Sequence, residues 1–174
     1  MNVDRVGKTE SRRAIAAYAA VMFLSMLWLA VIVAPPILLA HGHGQTAMAL
    51  YHGLSGICHQ IPSRSFHLYG FPLAVCSRCT GIYLGFTLAG LLYPLVPGLQ
   101  NGVKLPKFWV IVALLPMLID FSLGYFGILE NTFVSRTVTG ALAGAAAAFY
   151  LLPDVVAIAS PANGQFSFKE QSWS

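Results

Sequence analysis

Charged residues are scarce in this sequence. They make up 9% of the 174 residues, against a hydrophobic fraction of 57%, and the mean hydropathy is +0.70. Soluble globular domains contain about 25% charged residues, which cover their surface. The shortage therefore excludes an ordinary soluble domain and predicts that the lipid bilayer is the main partner of the chain. The net charge of +4 is too small and too dispersed to indicate a nucleic-acid partner.

Cysteine and histidine are absent from most of the chain. All of them lie in one window, as His41, His43, His52, Cys58, His59, His67, Cys76 and Cys79. Soft-ligand and thiol chemistry is thus confined to one segment between two apolar stretches. A nucleotide-binding loop and a hydrolase triad are also missing, and Thr80 stands where a haem c attachment motif requires histidine. The window predicts a metal site or a thiol redox site at one membrane face.

Four apolar runs are long enough to cross a bilayer, at residues 14–40, 77–96, 108–128 and 133–159. A spanning helix needs about 20 residues, and lipid offers no water to backbone groups, so such runs must be helical. The predicted fold class is an all-α integral membrane four-helix bundle. The first run is longer than the roughly 7–15 apolar residues of a secretory signal, which favours a retained span. Pro35 and Pro36 are expected to end or kink it.

The basic residues predict the orientation. If the N-terminal segment 1–13 is cytoplasmic, seven of the ten Lys and Arg residues lie inside, and the outer side keeps Arg64, Arg78 and Arg136. Cytoplasmic loops carry the excess of Lys and Arg. We therefore expect both termini, including the tail 160–174, on the cytoplasmic side of the cell (inner) membrane. The loop 41–76 would face the periplasm or exterior, with a short amphipathic helix near residues 45–57.

Three polar residues are expected at similar depth in the outer half of the membrane. Asp120 lies in the third run, Arg78 begins the second and Arg136 begins the fourth. A carboxylate within the membrane is costly and is usually paired or functional. We expect Asp120 to pair with Arg136 or Arg78. An ion pair that only sets the helix register is an equally open interpretation.

Small residues indicate how the helices pack. Glycines recur four residues apart in the second and fourth runs, at Gly81, Gly85, Gly140 and Gly144. Such spacing lets helix backbones approach closely in lipid. We expect close helix contacts at these two faces, and pairing of the faces with each other is one arrangement.

Cys76 and Cys79 form a C-x-x-C motif at the start of the second run. Residues three apart share a helix face, so both sulfurs can bind one ion or form a disulfide. A helix N-terminus and the adjacent Arg78 favour the thiolate. Cys58 and His59 complete a Cys₃His set, a common tetrahedral zinc arrangement. The other histidines are expected to be solvated or interfacial, except that His67 is undecided.

The same segments resemble a known family. The resemblance rests on C-H-Q from Cys58, on R-S-F from Arg64, and on C-x-R-C-x-G-x-Y-x-G from Cys76 to Gly85. It is to a family of small prokaryotic integral membrane proteins that is classed as a domain of unknown function. The similarity is weaker through Asp120, Asn131, Arg136 and Gly140. The family often has glycine after the aspartate, where this chain has Phe121. The resemblance implies a membrane protein and no particular activity.

Two hypotheses for the window stay open. In the first, Cys58, His59, Cys76 and Cys79 bind a metal ion, with Zn²⁺ expected and copper as the alternative. The odd number of cysteines favours this hypothesis, because three thiols cannot all pair within one chain.

In the second hypothesis, Cys76 and Cys79 are the catalytic pair of a thiol–disulfide or quinone-linked membrane oxidoreductase, with quinone or no cofactor. Cys58 would exchange with one of them, and Arg78 would stabilise a thiolate. The layout resembles the membrane oxidases that regenerate protein disulfides, but their second cysteine pair is absent. A transporter or channel role is less supported, because the four runs show no repeated halves. Protein partners are not indicated.

Overall fold

The computed structural model describes residues 3–95 and 106–159, and most of them are helical. The helices are α1 (Val3–Ala40), α2 (Gly44–Ser55), α3 (Ser77–Leu92), α4 (Lys107–Tyr125) and α5 (Phe133–Ala159). Two short 3₁₀ turns occupy Pro62–Arg64 and Tyr93–Leu95, and two short strands are β1 (His67–Leu68) and β2 (Phe71–Pro72). The predicted tail 160–174 lies outside the described residues, and the predicted segment 1–13 is helical from Val3 onward.

Three helical stretches are long and apolar enough to cross a membrane: Arg12–Ala40 within α1, all of α4 and all of α5. The structure describes residues 77–95 of the predicted second span, 77–96. Its helix α3 has 16 residues and continues into a 3₁₀ turn that ends at Leu95. The chain is thus a largely helical protein with three helices capable of spanning lipid, and a fourth that is shorter.

Helix α4 stops at Tyr125, three residues before the end of the predicted third span, 108–128. Gly127 takes a left-handed φ of 68° just beyond the helix. The N–H of Ile128 then donates to the carbonyl of Leu123 at 3.0 Å. This pattern is a Schellman C-cap, which satisfies the last carbonyls and reverses the chain. The sequence interpretation missed it because the residues around Gly127 are as apolar as the helix.

The prolines of α1 do not end the helix, which continues through Pro35 and Pro36 to Ala40. Pro36 has no N–H to donate to the carbonyl of Ile32, four residues earlier. The backbone N–H of Ala74 donates to that carbonyl instead, at 3.3 Å. Ile32, both prolines and Ala74 are almost completely buried. The proline pair therefore provides an attachment point for the end of the loop 41–76.

The rest of the loop is held by α2 and the β1–β2 hairpin, whose register pairs His67 with Pro72. Its turn residues Tyr69 and Gly70 have φ values of 54° and 83°, as a tight type I′ hairpin requires. Tyr51 of α2 donates its hydroxyl hydrogen to the carbonyl of Pro72 at 2.5 Å. The helix and the hairpin thus form one unit beside the end of α1, and α2 is shorter than the predicted 45–57.

Helices α3 and α5 pack with their backbones in direct contact. The glycines at this contact are Gly81, Gly85, Gly140 and Gly144. A Cβ atom added at any of them would lie within 3.0 Å of a backbone atom of the opposite helix. Residues with side chains cannot approach so closely, so the two glycine faces pack against each other. This contact sets the position of the first turn of α3, where Cys76 and Cys79 lie.

Candidate thiol and metal site

The sulfurs of Cys58, Cys76 and Cys79 lie within 4.8 Å of one another. All three thiols are free, Cys58 is buried, and the other two are half-buried. Cys58 comes three residues after the end of α2, Cys76 is the N-cap residue of α3, and Cys79 lies one turn into α3. Two segments far apart in sequence therefore bring their thiols to one point.

Buried contacts hold this thiol cluster (Cys58, Cys76 and Cys79). Cys58 packs with Ile32 and Val75 in a small core, against which Tyr83 also packs. The backbone N–H of Cys76 donates to Sγ of Cys58 at 3.2 Å. The loop attachment at Ile32 and the sulfur cluster are therefore parts of one packed unit.

The surroundings of Cys76 favour its ionised form. A hydrogen bond from the thiol of Cys79 lowers the pKa of Cys76 to about 5, although burial opposes the shift. Further hydrogen bonds from the backbone N–H of Cys79, from Cys58 and from the backbone N–H of Arg78 act in the same direction. The N–H groups at the start of a helix are free to donate in this way. The surroundings of Cys76 thus favour the thiolate, which is the metal-binding and nucleophilic form.

His59 does not join the three sulfurs. Its ring is exposed, and the described cluster of close metal-ligand atoms contains the three cysteines alone. Gln60, with a φ of 50°, donates through its side chain to the carbonyl of Tyr51 at 2.7 Å and so fixes the chain direction after α2. His59 lines the same cavity as the three cysteines, but its ring nitrogens are not part of their cluster. The remaining histidines are also exposed: His41, His43, His52 and His67.

Asp120 pairs with Arg78, one of the two partners that the sequence left open. Nη2 of Arg78 lies 2.5 Å from Oδ2 of Asp120, and their side chains are 19% and 12% exposed. The guanidinium of Arg78 also lies over the ring of Phe121, 5.6 Å from its centroid. The side-chain amide of Asn131 donates to the backbone carbonyl of Asp120. The pair thus joins α3 to α4, with the loop before α5 attached to it.

A cavity of about 550 Å³ opens beside the sulfurs. All three cysteines line it, together with Arg64, Arg78, Arg136 and His59. The residues that line it include no carboxylate. The sequence predicted roles for Arg78 and Arg136 but assigned none to Arg64. The signal that could have revealed Arg64 was present, because these three arginines are the only basic residues predicted on the outer side.

Comparison with known proteins agrees with the helical character of the chain. A family model described as "Predicted membrane protein (DUF2085)" matches residues 58–150. The chain belongs to this family. It is 41% identical over 108 residues to "Uncharacterized protein MJ1492" of Methanocaldococcus jannaschii, a match that covers 62% of this chain and 69% of that protein. It is 42% identical over 91 residues to an "Uncharacterized protein" of Methanothermobacter thermautotrophicus, which covers 51% of this chain and 78% of the relative. No solved structure matches the chain.

The range matched by the family model contains the whole candidate site. It begins at Cys58 and includes Cys76, Cys79, the Arg78–Asp120 pair and Arg136. Helices α1 and α2 precede it, although α1 supplies the carbonyl and the side chains against which the loop packs. The cysteine cluster and the ion pair therefore lie in the range that the family model matches. Part of the core against which the cluster packs comes from α1, which lies outside that range.

Proposed function

We propose that this protein is a multi-pass membrane protein that binds one metal ion, with Zn²⁺ as the expected ion, at Cys58, Cys76 and Cys79. The observation that carries the proposal is that three thiol sulfurs from two separate segments lie within 4.8 Å of one another. Thiolate ligands in a tetrahedral zinc site, at a Zn–S distance of about 2.3 Å, stand about 3.8 Å apart. The spacing thus suits one ion bound by all three sulfurs.

Three protein ligands leave the fourth position of a tetrahedral ion open. That position would face the cavity that the three cysteines line, where a water molecule or another small ligand can complete the coordination. Zinc sites with four protein ligands are typically structural, whereas those with three protein ligands bind a water or another small ligand. The geometry therefore favours a site that receives a ligand from the cavity. Cu(I), which prefers soft thiolates, is the alternative ion.

The proposed topology has four spans and puts the thiol cluster on the outer face of the cell membrane. Helix α3 has 16 residues and its following turn has three. The helix is about 24 Å long and the turn adds about 6 Å. Their combined length is close to the roughly 30 Å thickness of the hydrocarbon core. Both termini would then be cytoplasmic. The distribution of Lys and Arg supports this orientation.

Labelling of single cysteines tests the topology. Both test variants start from a protein whose three native cysteines are replaced by serine. Ser63→Cys adds a thiol at an exposed position of the loop 41–76. Lys107→Cys adds a thiol at the first residue of α4, at the end of that helix away from Asp120. In intact cells, we expect a membrane-impermeant maleimide to label the Ser63→Cys protein and to label the Lys107→Cys protein only after permeabilisation. The reverse pattern would contradict an outward-facing site.

Metal and thiol content tests the proposed function. For protein purified without chelators, we expect about one zinc ion per chain and three thiols that can be alkylated after denaturation. One copper ion per chain with the same thiol count would support the same metal site with copper as its ion. Absence of bound metal, with two of the thiols recovered only after reduction, would contradict the metal site.

The same geometry supports a second candidate, a thiol–disulfide oxidoreductase. Cys76 and Cys79 lie one helical turn apart, and Cys58 is close enough to exchange with either. In this reaction the two thiols lose two electrons and two protons and form the S–S bond, while a bound quinone accepts both and becomes the quinol. This function predicts a protein without bound metal, in which two of the thiols are recovered only after reduction. Metal and thiol analysis of one preparation therefore separates the two candidates.

A further inference from the structure

Two cavities adjoin at Arg78 and Phe121. The first is the arginine cavity, the space of about 550 Å³ beside the sulfurs that Arg64, Arg78 and Arg136 line. The second is an apolar groove of about 500 Å³ along α4. Its other residues are Ile111, Leu114, Leu115, Met117 and Leu118. One guanidinium and one aromatic ring therefore border both a polar space and an apolar space.

The arginine cavity has a surplus of positive charge. Asp120 compensates Arg78, whereas Arg64 and Arg136 form no ion pair with any carboxylate in the described ranges. The guanidiniums of Arg64, Arg78 and Arg136 line one cavity, so their like charges repel one another, and an anion bound among them would relieve that repulsion. Two arginines that form no direct ion pair among the described residues suit a phosphate monoester, which carries about −1.5 to −2 charges at neutral pH.

Arginine also suits this ligand by its geometry. The planar guanidinium donates two parallel hydrogen bonds to phosphate or carboxylate oxygens. A carboxylate offers two oxygens and one charge, which one arginine satisfies. A phosphate monoester offers three terminal oxygens, which suits the convergence of Arg64, Arg78 and Arg136 on one space. The cavity size lies within the range of about 300–1,000 Å³ that small-ligand sites occupy.

The apolar groove suits the apolar part of a ligand whose phosphate lies in the arginine cavity. Apart from Arg78 its lining is entirely hydrophobic, and α4 has no buried residue within the described parts of the chain. Apolar side chains facing this groove suit an alkyl chain and offer no hydrogen bond to a polar group. A free phosphate ion would leave the groove unused, whereas a lipid with a phosphate head group would use both spaces.

We propose that the arginine cavity and the apolar groove together bind one lipid with a phosphate monoester head group. The head group lies among Arg64, Arg78 and Arg136, and one hydrocarbon chain passes Phe121 and follows α4. A phosphate oxygen would then be available to the open position of a metal ion at the thiol cluster. Lipid binding itself does not depend on that ion, so it is tested separately from the proposed function.

Binding of defined lipids to the purified protein in detergent tests the proposal, with dioleoyl phosphatidic acid as the probe and native mass spectrometry as the readout. We expect phosphatidic acid to bind at least tenfold more tightly than dioleoyl phosphatidylcholine, dioleoylglycerol or inorganic phosphate. Equal binding of phosphatidic acid and phosphatidylcholine would overturn the head-group assignment. Binding of inorganic phosphate as tight as that of phosphatidic acid would overturn the lipid assignment.

Charge-neutralising variants locate the site. We expect the double variant Arg64→Gln/Arg136→Gln to lose at least tenfold in affinity for phosphatidic acid, while Arg12→Gln, at the other end of the first span, binds as the unchanged protein does. Arg64 is exposed, so Arg64→Gln alone tests the site if the double variant does not fold, with a smaller loss expected. Unchanged affinity in that folded single variant would overturn the proposal. Metal content, measured on the same samples, reports on the thiol cluster independently.

Discussion

Cys58→Ser is expected to abolish metal retention during purification. The serine hydroxyl is a poor ligand for zinc, so two thiolates remain from the set of three that lie within 4.8 Å of one another. Loss of an outer hydrogen-bond partner of a ligand costs about 10- to 100-fold in metal affinity, and loss of a ligand itself should cost more. The measurement is the zinc content per chain after dialysis against a weak competing chelator.

His59→Ala is the matched comparison, because it changes the neighbouring residue. His59 is exposed and is outside the sulfur cluster, so we expect this variant to retain its zinc ion under the same dialysis. Ser55→Ala, at an exposed position near the end of α2, controls for general effects on the loop. Zinc retention by Cys58→Ser equal to that of Ser55→Ala would contradict the three-thiolate site. Loss of zinc from His59→Ala alone would instead require rearrangement of the loop around the ion.

Asp120→Asn is expected to lower the free energy of unfolding by about 3–5 kcal/mol, the usual effect of removing one partner of a buried ion pair. The substitution leaves the guanidinium of Arg78, whose side chain is 19% exposed, without its compensating charge. Nε of Arg78 already lacks a hydrogen-bond partner within the described structure. Thermal unfolding in detergent, followed by circular dichroism, measures the effect.

The control for this prediction is Glu130→Gln, the same chemical change at an exposed loop position. We expect it to change stability by less than about 0.5 kcal/mol, as is usual for surface positions. The double variant Asp120→Leu/Arg78→Met should recover much of the loss, because hydrophobic residues of similar volume often replace a buried pair at little cost. An Asp120→Asn protein as stable as Glu130→Gln would contradict a buried, compensating pair.

Much of the architecture could be predicted from local sequence. Helix α5 occupies the residues of the fourth apolar run, because a long apolar segment has few alternatives to a helix in lipid. The prediction of a membrane protein is confirmed by the family match and by the three apolar helices. The continuation of α1 through its two prolines and the end of α4 were less predictable. They depend on a carbonyl bonded to Ala74 and on a glycine cap, which hydropathy does not report.

The candidate site could be predicted only in part. The concentration of cysteines in one window indicated the chemistry, since thiols in two segments of one loop are close whenever the loop is compact. Hydropathy and spacing could not show that Cys58 is buried in the sulfur cluster while His59 is exposed and outside it, because the two residues are adjacent in the same loop. They also could not choose between Arg78 and Arg136 for Asp120, which both lie at suitable depth. Sidedness and metal identity stay predictions.

The sequence by itself determined the class of the protein, the number of apolar runs and the segment that carries the reactive groups, because these follow from composition and local order along the chain. Tertiary structure alone decided which sulfurs meet, which arginine compensates the acid, and that Arg64 joins the other two arginines at one cavity. Each of these depends on distances between helices α3, α4 and α5, and those distances follow from close backbone packing at the glycines and from the attachment of the loop to α1.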